Sequence, residues 1–160
     1  GITTKIKPID QFDDTMWNDI INTNVTGFLR VIKNFHKSLK ETMGKVVVVN
    51  SIAGKTYSKY SGFEYTASKA ALSGIVRQLA MEWSEDGILI NSVFPSMTLT
   101  PMLSKALSEE EIKSIAEELP LGKLAKPMDI ARAIEFLISK DNHYTTGSGI
   151  DISGGLFLNG

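Results

Sequence analysis

Cysteine is absent from the chain, so neither a disulfide framework nor thiolate chemistry is available to it. Histidine is scarce. His36 and His143 lie far apart with no carboxylate pattern around either, and they read as surface or capping residues rather than metal ligands. No apolar run approaches the ~20 residues of a membrane span, and the first residues lack the charged-then-apolar order of a leader. A membrane is therefore not an expected partner, and the cytosol is the expected address. Neither sign of charge dominates: 17 Lys and Arg against 18 Asp and Glu leave a formal net charge of −1. The lysines are scattered, which excludes the basic footprint that nucleic acid or an anionic lipid surface requires. Repeats, linkers and low-complexity tracts are lacking too. What is there is 160 residues, 42% hydrophobic, which suits one domain over residues 1–160 with a sizeable core.

The stretch that carries chemistry is Glu64-Tyr65-Thr66-Ala67-Ser68-Lys69-Ala70-Ala71. It opens a helix in which Tyr65 and Lys69 stand one turn apart on one face, where a phenol and an ammonium share a small pocket. A Lys charge beside a Tyr favours the phenolate and draws the phenol down from ~10 toward the range of a working general acid. Tyr-x-x-x-Lys also arises by chance, and a half-buried Tyr with a solvated Lys beside it is the plain alternative. Of the four tyrosines, only Tyr65 has Lys four residues on and follows a strand ending in Ser.

That strand is Lys45-Val46-Val47-Val48-Val49-Asn50-Ser51, with Ile52-Ala53-Gly54 after it. A run of β-branched residues without alternation reads as a parallel strand buried on both faces. Ligands of such sheets bind at the carboxyl ends of the strands, where Ser51 lies. Its hydroxyl either meets the Tyr65 phenol over one substrate or bonds its own backbone as a turn residue.

Asn24, within Asn22-Thr23-Asn24-Val25-Thr26-Gly27, precedes both. Asn24, Ser51, Tyr65 and Lys69, in that order, resemble the Asn-Ser-Tyr-Lys set of the classical short-chain dehydrogenases/reductases. Trp17-Asn18-Asp19-Ile20-Ile21, Gly87 to Val93 with Pro95, Thr100-Pro101-Met102 and the closing Gly147 to Gly155 stretch add to the likeness, which covers essentially the whole chain. It is nearest to the 3-oxoacyl-[acyl-carrier-protein] reductases. The fold class this implies is α/β, the C-terminal part of a Rossmann-type doubly wound parallel sheet, with three strands and covering helices.

The resemblance also implies a reaction. A ketone, small or carried on an acyl carrier, is reduced to a secondary alcohol with NADPH or NADH, the preference between them not being readable. Tyr65 is then the general acid, Ser51 holds the carbonyl oxygen, and Lys69 lowers the Tyr65 pKa and holds the nicotinamide ribose. Asn24 marks a helix kink and connects Lys69 to solvent through a water. Thr98 and Thr100 stand where the family contacts the nicotinamide end of the cofactor; ordinary loop or cap roles remain the alternative.

Two departures stand beside the likeness. The first strand, glycine-rich turn, helix N-terminus and ribose-reading residue of a dinucleotide fold have no counterpart. Gly1-Ile2-Thr3 instead resembles the residues just after the family's fourth strand, so the chain reads as a truncated cofactor-binding domain. Its expected partner is a second copy or a separate N-terminal segment, and a non-catalytic half-domain or oligomerisation module is the other reading. The second departure is Ser96 after Pro95, where the family usually has glycine. A residue with a Cβ restricts the backbone there if a positive φ is needed.

For the remaining chain, apolar spacing predicts a helix from Asp13 or Asp14 to about Met43, irregular near Asn24 and Gly27 and ended by Gly44. Ile88 to Phe94 is a second buried strand, and Leu103 to Leu124 a lid with a capping box at Ser108-Glu109-Glu110-Glu111. Pro127 and Asp129 start a last helix with Ile130, Ile134, Leu137 and Ile138 inward, and Ile150-Asp151-Ile152 is the last strand. The Val46 to Val49 strand is expected as an open, apolar sheet edge that invites pairing.

Overall fold

The computed structural model describes residues 1–101, 103 and 108–158. Met102 of the Thr100-Pro101-Met102 likeness and residues 104–107 of the predicted lid lie outside the described residues.

A loop over residues 1–8 and a 3₁₀ turn (Ile9–Gln11) lead to α1 (Asp14–Ile21). Asp13 caps that helix, its carboxylate accepting from Thr15 N at 2.8 Å and Met16 N at 3.3 Å. The predicted irregularity is a π-type turn (Asn22–Thr26) that joins α1 to α2 (Gly27–Thr42). The predicted terminator shifts by one residue. Met43, not Gly44, adopts the left-handed conformation (φ 46°), while Gly44 N donates to Leu39 O at 2.8 Å. The glycine serves close approach, because a Cβ on it would collide with the Leu39 side chain.

Three strands follow: β1 (Lys45–Val49), β2 (Leu89–Pro95) and β3 (Gly149–Ile152), with α3 (Phe63–Glu82) between the first two. They form one parallel sheet in the order β1-β2-β3, with Val47 opposite Asn91 and Val93 opposite Ile150. α4 (Glu109–Glu118) carries the predicted capping box, Glu111 N donating to Ser108 Oγ at 3.2 Å. α5 (Pro127–Ile138) starts on its proline.

The two faces of the sheet carry different cores. On one, Val48 and Ile90 pack with Ile32 of α2 and Leu72, Val76 and Ala80 of α3. On the other, Val93, Val47, Ile150 and Ile152 pack with Ile130, Ile134 and Leu137 of α5. Ile138, expected inward, is 52% exposed, because the helix turns it away from that sheet face. Since the strands advance in one direction while α3 and α5 lie on opposite faces, the two crossovers have opposite hands, against the usual right-handed rule for one of them. Around Gly149 and Asp151 the α3 side of the sheet is therefore lined by side chains such as Lys55 and Phe94.

β1 is an edge strand, as expected, but it is not buried on both faces along its length: Val49 is 53% exposed. The strand ends two residues before Ser51, which instead starts the next turn. No described helix is long and apolar enough to cross a membrane, and no group of three His, Cys, Asp or Glu among the described residues could hold a metal ion.

Candidate active site

Four elements converge at the carboxyl end of β1. Ser51 caps a 3₁₀ turn (Ile52–Gly54), its Oγ accepting from Ala53 N at 3.2 Å. The same hydroxyl is near enough to the Tyr65 phenol to favour its phenolate, though no hydrogen bond joins the two among the described contacts. The turn reading of Ser51 is thus observed, and its hydroxyl keeps capacity for a second group. Asn50 supports it from behind, its Oδ1 accepting from Ser51 N at 3.0 Å and its Nδ2 donating to Ser73 Oγ at 3.0 Å.

Tyr65 and Lys69 lie in the first two turns of α3, as their spacing predicts. The Lys69 ammonium donates to Val49 O at 3.1 Å and sits 5.6 Å from the centre of the Tyr65 ring. Lys69 is only 8% exposed, and burial holds its pKa below the ordinary value. The expectation that Lys69 lowers the Tyr65 pKa is not met. Burial pushes the phenol up, and the opposing pull comes from the Ser51 hydroxyl. Desolvation disfavours the phenolate more than its neighbours favour it.

Asn24 occupies the π-type turn, 6% exposed, and its amide is fully engaged. Nδ2 donates to Ile2 O at 2.9 Å and to Ser68 Oγ at 3.0 Å, while Oδ1 accepts from Ile2 N at 2.8 Å. Ser68 in turn donates to Tyr65 O at 2.7 Å. A continuous chain of bonds therefore runs from the first residues through Asn24 and Ser68 to the backbone of Tyr65. Lys69 receives no direct bond from this chain among the described contacts.

Thr98 and Thr100 lie on the segment after β2, and both have local partners. Thr98 Oγ1 donates to Ser96 O at 3.2 Å, and Thr100 Oγ1 accepts from Leu103 N at 3.3 Å. Ser96 does not take up positive φ, since Met43 is the one non-glycine residue that does among the described residues. Its N–H continues the ladder to Ile152 O at 3.1 Å, so a Cβ is tolerated there. Sequence reasoning missed Ser68, which is fully buried, and Asn50, 4% exposed. The only available signal was the position of Ser68 three residues after Tyr65, which sets it against the same turn of helix.

A family model described as enoyl-(acyl carrier protein) reductase matches residues 1–157. The chain is 36% identical over 143 residues to an acetoacetyl-CoA reductase of Acinetobacter sp. (strain RA3849), an overlap covering 89% of the chain and 57% of that protein. It is 34% identical over 146 residues to the 3-oxoacyl-[acyl-carrier-protein] reductase of Escherichia coli (strain K12), covering 91% of the chain and 59% of that protein. The chain thus spans less than three fifths of the length of either relative. The fold superposes with a TM-score of 0.91 on an NADPH-bound short-chain oxidoreductase from Pseudomonas aeruginosa PAO1, at 25% identity, covering all of this chain and 64% of that one.

Proposed function

Because the chain belongs to the short-chain dehydrogenase/reductase family, we propose that it carries the proton-delivering part of a ketone reductase acting on a 3-oxoacyl thioester-type substrate. The reductant is NADPH or NADH. The observation that carries this reading is the meeting of Ser51, Tyr65 and Lys69 at the carboxyl end of a parallel strand, where ligands of such sheets bind.

The residues present fit the nicotinamide end of the cofactor. A buried ammonium and a phenol on one helix face suit the hydroxyls of a ribose, and Thr98 and Thr100 offer hydroxyls to the carboxamide side. Bound NAD(P)H supplies the hydride to the carbonyl carbon. The phenol of Tyr65, kept protonated by burial, gives its proton to the carbonyl oxygen. Ser51 donates a hydrogen bond to that oxygen and steadies the developing alkoxide. Lys69 holds the ribose, and Asn24 ties Tyr65 in place through Ser68. The pyrophosphate has no glycine-rich turn in this sequence. That half of the cleft is supplied by another copy or by an N-terminal segment seated on the β1 edge, and residues 1–160 act as one unit of the assembly.

A second reading is a half-domain that keeps core and association surfaces without binding cofactor. Calorimetric titration of NADPH and NADH separates the two. We expect saturable binding that Lys69→Ala weakens, and ketone reduction that Tyr65→Phe lowers ~10²–10⁴-fold with binding retained. A folded chain that binds neither nucleotide at millimolar concentration leaves the half-domain reading.

A further inference from the structure

A cavity of about 110 Å³ opens between α3 and the β2–β3 face, lined in part by Lys55, Ser73, Arg77, Ser92, Phe94 and Gly149. None of Asn24, Ser51, Tyr65 and Lys69 lines it. Its floor is Ser92, in the middle of β2 and 1% exposed, whose hydroxyl has no hydrogen-bond partner. Buried hydroxyls are nearly always paired, and no protein group takes this one, so it is free to pair with a group in the cavity that Ser92 lines. Ser73, beside it, is already engaged: its Oγ accepts from Asn50 Nδ2 at 3.0 Å and donates to Lys69 O at 3.3 Å.

The walls carry charge. The Lys55 ammonium lies 2.6 Å from Asp151 Oδ1 and 4.3 Å from the centre of the Phe94 ring. Arg77, in contrast, forms none of the ion pairs among the described residues. Two cations and one carboxylate leave a single net positive charge around the cavity. That balance suits a monoanion, since Asp151 repels a second negative charge. The planar fork of Arg77 matches the edge of a carboxylate better than a point charge does. The space exceeds that of one water, whose share of the liquid is ≈ 30 Å³.

We propose that this cavity binds a small carboxylate monoanion, held by the Arg77 guanidinium and the Ser92 hydroxyl, with Phe94 against its carbon end and Lys55 adding charge from the side of Asp151. The carboxylate is a free metabolite-sized ion or the side chain of a second copy; the chemistry of recognition is the same.

Acetate is the probe, titrated calorimetrically into the 160-residue chain with ionic strength held constant by chloride. One saturable site in the millimolar range is expected, with Arg77→Gln and Ser92→Ala each weakening it about tenfold. Without acetate, Ser92→Ala should unfold at the same temperature as the parent or a higher one, because it removes an unsatisfied hydroxyl. Arg77 is exposed, so its variant tests the site even if Ser92→Ala folds poorly. If the carboxylate comes from a second copy, sedimentation will show a dimer that acetate dissociates and Arg77→Gln abolishes. The proposal is overturned if acetate gives no saturable heat and no such dimer forms, or if both variants bind acetate as the parent does. Lys69→Ala should leave acetate binding unchanged, so this result and the fate of the reductase reading can be told apart.

Discussion

The Lys69 ammonium donates to the Val49 carbonyl at 3.1 Å. Val49 is the last residue of β1 and Lys69 lies in the second turn of α3, so one bond fixes a helix to the carboxyl end of a parallel strand. Tyr65, one turn earlier, is thereby held over the same strand end beside Ser51. Burial acts on both side chains, raising the phenol and lowering the ammonium, because a low-dielectric setting opposes charge on either. Each group of the pair therefore favours its neutral form more than it would in water.

These opposite shifts predict opposite pH dependences of stability. The folded pKa of Lys69 lies below its ordinary 10.5, so between the two values the unfolded chain binds the proton more strongly. The Lys69 contribution is fully present above 10.5 and is lost as pH falls through the folded value. Tyr65 lies above its ordinary 10.0, so its contribution is fully present below that pH and is lost as pH rises through the folded value. Urea unfolding from about pH 8 to 11 checks both signs. The stability difference between parent and Lys69→Met should rise with pH, and that between parent and Tyr65→Phe should fall above about pH 10. Two flat differences would contradict the burial argument.

The Asn24–Ser68 relay should behave as a coupled unit. Asn24→Ala leaves Ile2 N and Ile2 O without their partner and takes the donor from Ser68 Oγ, which keeps its bond to Tyr65 O; removal of a buried partner costs about 1–3 kcal/mol per group stranded. Water reaching the part-buried Ile2 groups will hold the total near the lower end. Ser68→Ala removes the hydroxyl between Asn24 and Tyr65 O and should cost about 1 kcal/mol. A double-mutant cycle by urea unfolding is expected to give a coupling of at least about 0.5 kcal/mol. Strict additivity would mean that the relay does not act as one network.

The sequence made the secondary structure of this chain readable wherever one periodicity prevailed. The valine run, the Ser108 capping box and Pro127 each appear as elements with ends within a few residues of those expected. It also placed Tyr65, Lys69 and Ser51 together, because helix spacing and the strand-end rule act over short distances in the chain. What it missed depends on packing. That burial, opposed by the Ser51 hydroxyl, raises the Tyr65 pKa requires knowing what surrounds the phenol. The partnership of Asn24 with Ile2 and Ser68 spans 22 and 44 residues, and no local pattern encodes it. Met43 took the left-handed position at the end of α2 because the adjacent Gly44 was needed for contact with Leu39.

Gly149 should not tolerate a side chain. A Cβ there would run into the Phe94 ring and stand 3.2 Å from Ser92 O, with the ring lying between Gly149 and the Lys55 ammonium. Gly149→Ala is expected to destabilise the chain by about 1–3 kcal/mol through overpacking. Adding Phe94→Leu, which clears the space, should recover part of the loss. Thermal unfolding of the single and double variants measures this, and a double variant no more stable than Gly149→Ala would refute the steric explanation.

The open edge of β1 predicts association. Val46, Val47, Val48 and Val49 present a strand whose outer hydrogen-bonding groups face no other strand in this sheet, and apolar edges of this kind recruit further strands. Val49 is the position to test, because it is 53% exposed, whereas Val47 packs against the α5 core and Val48 against the α3 core. Val49→Lys places a charge on the edge while leaving the Val49 carbonyl free to hold Lys69. Its effect on monomer stability should stay within about 0.5 kcal/mol, so any change in mass is attributable to the edge. Sedimentation over a range of concentrations should show the parent associating and the variant shifted toward the 17.5 kDa monomer. If nucleotide binding also disappears in the variant, the β1 edge is where the rest of the cofactor cleft joins the chain. Parent and variant both monomeric at every concentration would leave the edge without a self-partner and refute the prediction.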